Sequence, residues 1–145
     1  MGSQNKASLN VQEERMKAVT VWLILDSKPE DAISLLCKWY HVSRPRLLVG
    51  VLEGRTKGVA AVYSVQRREI RAARREYLYD PFVMIHEFYH HLRSTSGKHR
   101  GTEKQADKFA LDFIAAYKRA TEGALAHLTE AERTPGTGGT FSAKL

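Results

Sequence analysis

Two histidines four residues apart enclose a glutamate in the segment His86-Glu87-Phe88-Tyr89-His90. The segment lies in an apolar, helix-periodic stretch, with Pro81-Phe82-Val83-Met84-Ile85 ahead of it and Leu92 behind. On a helix, residues i and i+4 stand one above the other on the same face. Two imidazoles so placed can grip one zinc ion at about 2.0–2.1 Å per Zn–N bond. Glu87 follows the first of them on the flank of that face, where it can take a proton from a metal-bound water. The chain has six histidines, which makes a chance pentad a roughly per-cent-level event. Only a third ligand separates a metal site from a histidine-rich core helix.

Glu103 is the candidate. Ser94-Thr95-Ser96-Gly97-Lys98 is a cluster of turn residues that ends a helix. A new helix is expected from about Thr102, because Thr102 followed three residues later by Gln105 is a capping-box pattern. Ala106, Phe109, Ala110, Phe113, Ile114 and Tyr117 then recur at three- and four-residue steps. Glu103 and Asp107 lie one turn apart on the side shared by Ala106 and Ala110 and are expected to face the core. An unpaired buried charge is expensive, and coordination would offset that cost. Glu103 would complete a two-His, one-Glu site with an open fourth position, the layout of a catalytic zinc. Asp107 could accept the second ring N–H of a ligand histidine; Asp107 as the third ligand in place of Glu103 stays open. The competing reading makes both carboxylates surface charges of a helix carrying Lys104 and Lys108. His91 points about 100° away from His90 around the helix and cannot share its ion.

The pentad followed by a helix bearing Glu103-Lys104-Gln105-Ala106-Asp107 resembles the gluzincin group of zinc metallopeptidases. In compactness it is similar to the minimal gluzincins and to the small peptidase domains of the ImmA/IrrE type. The resemblance covers roughly residues 45–118 and is specific over 80–110. It implies peptide-bond hydrolysis of a peptide or protein substrate, with Zn2+ held by His86, His90 and Glu103 and with Glu87 as general base. It also implies a small antiparallel sheet ahead of the zinc helix, one edge strand of which pairs with extended substrate. Ile70 to Arg75 is the strand expected to do so. His127 reads first as a surface or half-buried side chain; the alternative that the resemblance offers is tail-held latency, with His127 swinging to the open zinc position.

A tetrahedral oxyanion needs a stabiliser besides the metal, and Tyr77, Tyr79, His99, Arg100 and Tyr117 are all chemically able.

The elements that must position these residues read as an α+β order: two N-terminal helices, a small mainly antiparallel sheet of about three strands, the pentad helix, then the glutamate-bearing helix. Residues 1–9 are expected to be a flexible N-terminus, 10–133 a single zincin-like domain, and 134–145 a flexible Gly/Thr-rich tail. Asn10 with Glu13 could cap a first helix running to about Leu25, with Val11, Ala18, Val19, Trp22 and Leu23 near one stripe. Ser27, Pro29 and Glu30 form an N-cap, early proline and N3 acid for a second helix to about His41. Leu47 to Leu52 reads as a buried strand, residues 53–58 as a turn, and Val59 to Tyr63 as the hairpin partner. Glu69 to Ala72 adds a third strand. Asp80 and Pro81 open the pentad helix as N-cap and N1. Glu122 to Glu132 is weakly helical.

Charge supplies the rival signal. Net charge is +7, and Arg67, Arg68, Arg71, Arg74 and Arg75 fall close together beside Tyr77 and Tyr79. Such a run could bind nucleic acid, steer an acidic partner, or form a solvated face, and nucleic acid is not the favoured partner. Cys37 is the only cysteine, so no intrachain disulfide can form. That suits a reducing, cytoplasmic setting, and its apolar neighbours make Cys37 a small core residue. The longest apolar run, Val19 to Leu25, is far short of the about 20 residues of a membrane span. No apolar secretory segment directly follows Met1 to Lys6. A zinc metallopeptidase is therefore expected, with a basic nucleic-acid-associated domain or a catalytically silent zinc-binding regulatory domain as the alternatives.

Overall fold

The computed structural model describes residues 2–52, 54, 57–95 and 102–133; residues 134–145, His99 and Arg100 lie outside them. Helix α1 spans Gly2–Leu25, so Asn10 sits within it rather than at its start. Between Ser3 and Leu25 there is neither glycine nor proline, and Lys6, Ala7, Leu9 and Glu13 to Lys17 are good helix formers that give the helix no reason to begin late. Its buried face is Met16, Thr20, Val21 and Ile24, not the expected stripe: Val11, Val19 and Trp22 are exposed. Thr20 tolerates full burial because its hydroxyl donates to the Met16 carbonyl at 2.8 Å.

The α1 terminus corrects the assignment of Ser27. Lys28 N–H bonds to the Leu23 carbonyl at 2.8 Å and Ser27 N–H to the Ile24 carbonyl at 3.1 Å. These are the two bonds of a Schellman stop, with Ser27 in the left-handed region at φ 63°. Ser27 thus closes α1 and does not cap α2, which spans Pro29–Tyr40 behind Lys28 with no side-chain cap. Pro29 holds the first helical position, and Cys37 is buried.

Strands β1 (Arg46–Val49), β2 (Ala61–Ser64) and β3 (Glu69–Ala72) form a mixed sheet in the order β1-β3-β2. β1 runs parallel to β3, with Leu47 opposite Ile70, and β2 runs antiparallel to it, with Tyr63 opposite Ile70. The expected β1–β2 hairpin is therefore replaced by a β2–β3 hairpin. β3 takes the centre because Glu69, Ile70 and Ala72 are all buried. A central strand has no open edge, which removes Ile70 to Arg75 as the substrate-pairing segment. The edge strands are β1 and β2.

Helix α3 spans Pro81–Thr95; the Val83 N–H donates to Asp80 Oδ1 at 3.2 Å, the expected N-cap. Helix α4 runs unbroken over Glu103–Arg133, absorbing the segment Glu122 to Glu132. Its start is a complete capping box, with Gln105 N–H on Thr102 Oγ1 at 3.0 Å and Thr102 N–H on Gln105 Oε1 at 2.9 Å. α4 packs on both α1 and α3, and Phe88 of α3 and Phe113 of α4 are fully buried in the core so formed. Among the described residues no helix is long and apolar enough to cross a membrane.

Candidate metal centre

Helical spacing divides α3 into two working faces. Met84, Ile85, Phe88 and His91 point into the core, which turns His86, Glu87 and His90 toward a cavity of about 550 Å³. The opposite wall is β2 and its approach, including Val59, Ala61, Val62 and Tyr63, with Phe82 and Val83 at one end. A volume in this range suits a small ligand or a few residues of a chain.

The pentad and the first turn of α4 meet at this cavity. Glu103 Oε1 lies 2.8 Å from His86 Nε2, and Glu103 Oε2 lies 3.1 Å from His90 Nε2. One ligand atom from each of His86, His90 and Glu103 can be chosen so that all lie within 4.8 Å of one another. Asp107, one turn further along α4, places Oδ1 at 2.9 Å from His86 Nδ1. The expected buried face for the two carboxylates is corrected: the Glu103 side chain is 78% exposed and that of Asp107 49%. They stand at the rim of α4 and reach back toward α3, so the burial cost that first singled them out is not what holds them there.

The donor set fits a divalent cation. With Asp107 accepting the Nδ1 proton of a neutral His86, Nε2 presents a bare lone pair to a carboxylate oxygen 2.8 Å away. Two acceptors at that distance repel unless a proton or a cation sits between them. His90 gives the second observation: its Nε2 is buried without a hydrogen-bond partner, although a Glu103 oxygen lies within ion-pair distance. An orphaned buried nitrogen is costly, and a metal ligand has a use for it. Burial, partly opposed by Glu103, holds His90 below the ordinary histidine range and so in the neutral form that ligation needs.

Glu87 stands 3.9 Å from His86 Nε2 with only 12% of its side chain exposed. Burial pushes its carboxyl up to about 7; His86 opposes this, Glu103 reinforces it, and a backbone hydrogen bond from Tyr63 opposes it. A carboxyl raised to about 7 beside a largely apolar cavity is suited to exchanging protons near neutral pH.

The remaining candidates disperse. His127 lies on α4, 24 residues past Glu103, hence about 36 Å along a straight helix; the unbroken rod keeps it from the cluster. Tyr77, Tyr79 and Tyr117 pack against the hydrophobic core and do not line the cavity. The five arginines do not form one patch. Arg67 and Arg68 lie at the β2–β3 turn and Arg74 and Arg75 beyond the other end of β3, about 20 Å apart along an extended strand. Arg71 is committed to the buried Glu69 at 2.9 Å, as is Arg46 at 3.0 Å. Two groups beside the cavity carry no sequence signature. Tyr63 lines it, and the fully buried His91 bonds to Tyr63 from behind; only knowledge of the strand register would reveal that pair.

No protein-family model matches the chain, and comparison with curated proteins and with solved structures likewise yields no match.

Proposed function

We propose that this chain is a zinc-dependent peptidase, with the ion held by His86, His90 and Glu103, Asp107 orienting His86, and Glu87 as general base. The observation that carries the reading is the convergence of two imidazole nitrogens and one carboxylate on the cavity into which Glu87 also faces. Bound there, zinc would polarise a carbonyl and acidify water. Glu87 accepts the proton of the attacking water and returns it to the departing nitrogen. The apolar residues Val59, Val62, Phe82 and Val83 line the cavity beside Glu87.

Peptide binding is assigned to β2. Ala73 N–H bonds to the Ala60 carbonyl at 2.8 Å. The alternation of antiparallel pairing then points the backbone groups of Val62 and Ser64 toward β3 and those of Ala61 and Tyr63 toward the open edge. An extended peptide added along that edge runs beside Glu87. A cytoplasmic location, favoured by the free thiol of Cys37, belongs to the same reading.

The test is cleavage of an unstructured protein substrate by zinc-loaded wild type and Glu87→Gln, with zinc content measured in parallel. The expected result is full zinc occupancy in both and cleavage by wild type alone. Equal cleavage by the two would refute Glu87 as the base; zinc-loaded wild type that cleaves nothing would refute the peptidase reading.

A further inference from the structure

His91 is fully buried and uses both ring nitrogens. Nε2 lies 2.7 Å from the Ser43 backbone carbonyl, which can only accept, so the proton resides on Nε2. Nδ1 is then bare in the neutral ring and accepts from the Tyr63 hydroxyl at 2.8 Å. The two rings meet edge to face with centroids 5.2 Å apart. One histidine thus ties α3 to the segment between α2 and β1 and to the edge strand β2.

The tie reaches the cavity through the main chain of Tyr63. Side chain and backbone of a strand residue turn together, so fixing the phenol fixes where the Tyr63 N–H points. That N–H belongs to the open-edge set; Tyr63 and Glu87 line the same cavity, and the N–H supports the Glu87 carboxylate there.

We propose that His91 is a positioning residue: through the Tyr63 hydroxyl it sets the orientation of β2 and thereby holds Glu87 in its working rotamer. The proposal rests on the peptidase reading for its effect on rate, not for the clamp itself. His91 follows His90 directly in α3, so the helix turn that presents a metal-facing imidazole also carries the clamp that aligns the base.

The test compares zinc-loaded wild type with Tyr63→Phe and with the double variant Tyr63→Phe, His91→Leu. Readouts are zinc content, kcat, KM, unfolding midpoint and the exchange rate of the Tyr63 amide hydrogen. Tyr63→Phe is expected to keep its zinc and KM, to lose about 10- to 100-fold in kcat, and to exchange the Tyr63 amide at least about tenfold faster. The double variant replaces the Tyr63–His91 pair by apolar groups, which removes the bare Nδ1 that Tyr63→Phe leaves but costs the Ser43 carbonyl its donor; kcat stays low. An unchanged kcat in Tyr63→Phe, or kcat recovering in step with stability in the double variant, overturns the proposal. If zinc-loaded wild type cleaves nothing, the peptidase reading fails alone, and amide exchange decides the clamp: faster exchange in Tyr63→Phe upholds it and unchanged exchange overturns it.

Discussion

Asp107 and Glu103, one turn apart on α4, grip opposite nitrogens of the same imidazole: Asp107 Oδ1 lies 2.9 Å from His86 Nδ1 and Glu103 Oε1 lies 2.8 Å from His86 Nε2. His86 therefore cannot rotate without breaking a contact to α4. Asp107→Ala removes the group that orients the ring, and zinc affinity is expected to fall by about 10- to 100-fold. Competition with a chelator of known affinity measures this. An unchanged dissociation constant would exclude Asp107 from any role in orienting His86.

In the proposed zinc site Glu103→Ala would leave two histidines as the only protein ligands, and the variant is expected to lose zinc during dialysis, leaving well under one ion per chain by elemental analysis. The comparison with Asp107→Ala separates the two candidate third ligands. Were Asp107 the true ligand, Asp107→Ala would be the variant that emerges empty and Glu103→Ala the one that stays loaded.

Glu103 is the first residue of α4, so its place depends on the Thr102–Gln105 capping box. The Tyr89 hydroxyl, donating to Gln105 Oε1 at 3.4 Å, ties that cap back to α3. Thr102→Ala removes the acceptor for Gln105 N–H and is expected to destabilise the fold by about 1 kcal/mol, read as a lower urea midpoint at constant slope. Zinc affinity falls with it, because the ligand then rides on a frayed turn. Loss of stability with zinc affinity intact would show that Glu103 needs no such anchor.

Cys37 and Tyr40 set the response to alkali. Burial pushes the Cys37 thiol up to about 11, against a slight pull from Arg44. Burial, helped by Glu13, pushes the Tyr40 phenol up to about 12. Unfolded, the two groups release protons near 9.0 and 10.0; folded, they hold them. Stability from this source is complete below about pH 9 and is lost as pH climbs toward 12. Urea midpoints should fall progressively from pH 9 upward, and Cys37→Ala should flatten the portion between about 9 and 11. A midpoint independent of pH across that range would contradict the burial of both groups.

Much of the site was legible because it rests on local rules. The i, i+4 spacing of His86 and His90, the Asp80-Pro81 start and the Thr102–Gln105 box each act within one turn, and each stands where its spacing puts it. The failures share a different cause. Ser27 carries the side chain of an N-cap, yet the backbone closure of α1 claimed it first. On α1 two apolar stripes compete, and packing against α2 and α4, invisible in the α1 segment itself, selects Met16, Thr20, Val21 and Ile24 over the side bearing Trp22. Strand order is a long-range choice, so adjacency in sequence suggested pairing β1 with β2 while burial of Ile70 put β3 between them. His127 was separated from the cluster by the continuity of α4, which no local breaker signals. Tyr63 and His91 met because strand alternation and helix phase coincide in space.

An unpaired sheet border invites any extended chain, including a neighbouring copy of the same molecule. Here the invitation is four residues long, and only Ala61 and Tyr63 turn their backbone groups outward, with the Tyr63 N–H already engaged by Glu87. That is enough to align a guest over a single pleat and too little to template stacking from one molecule to the next.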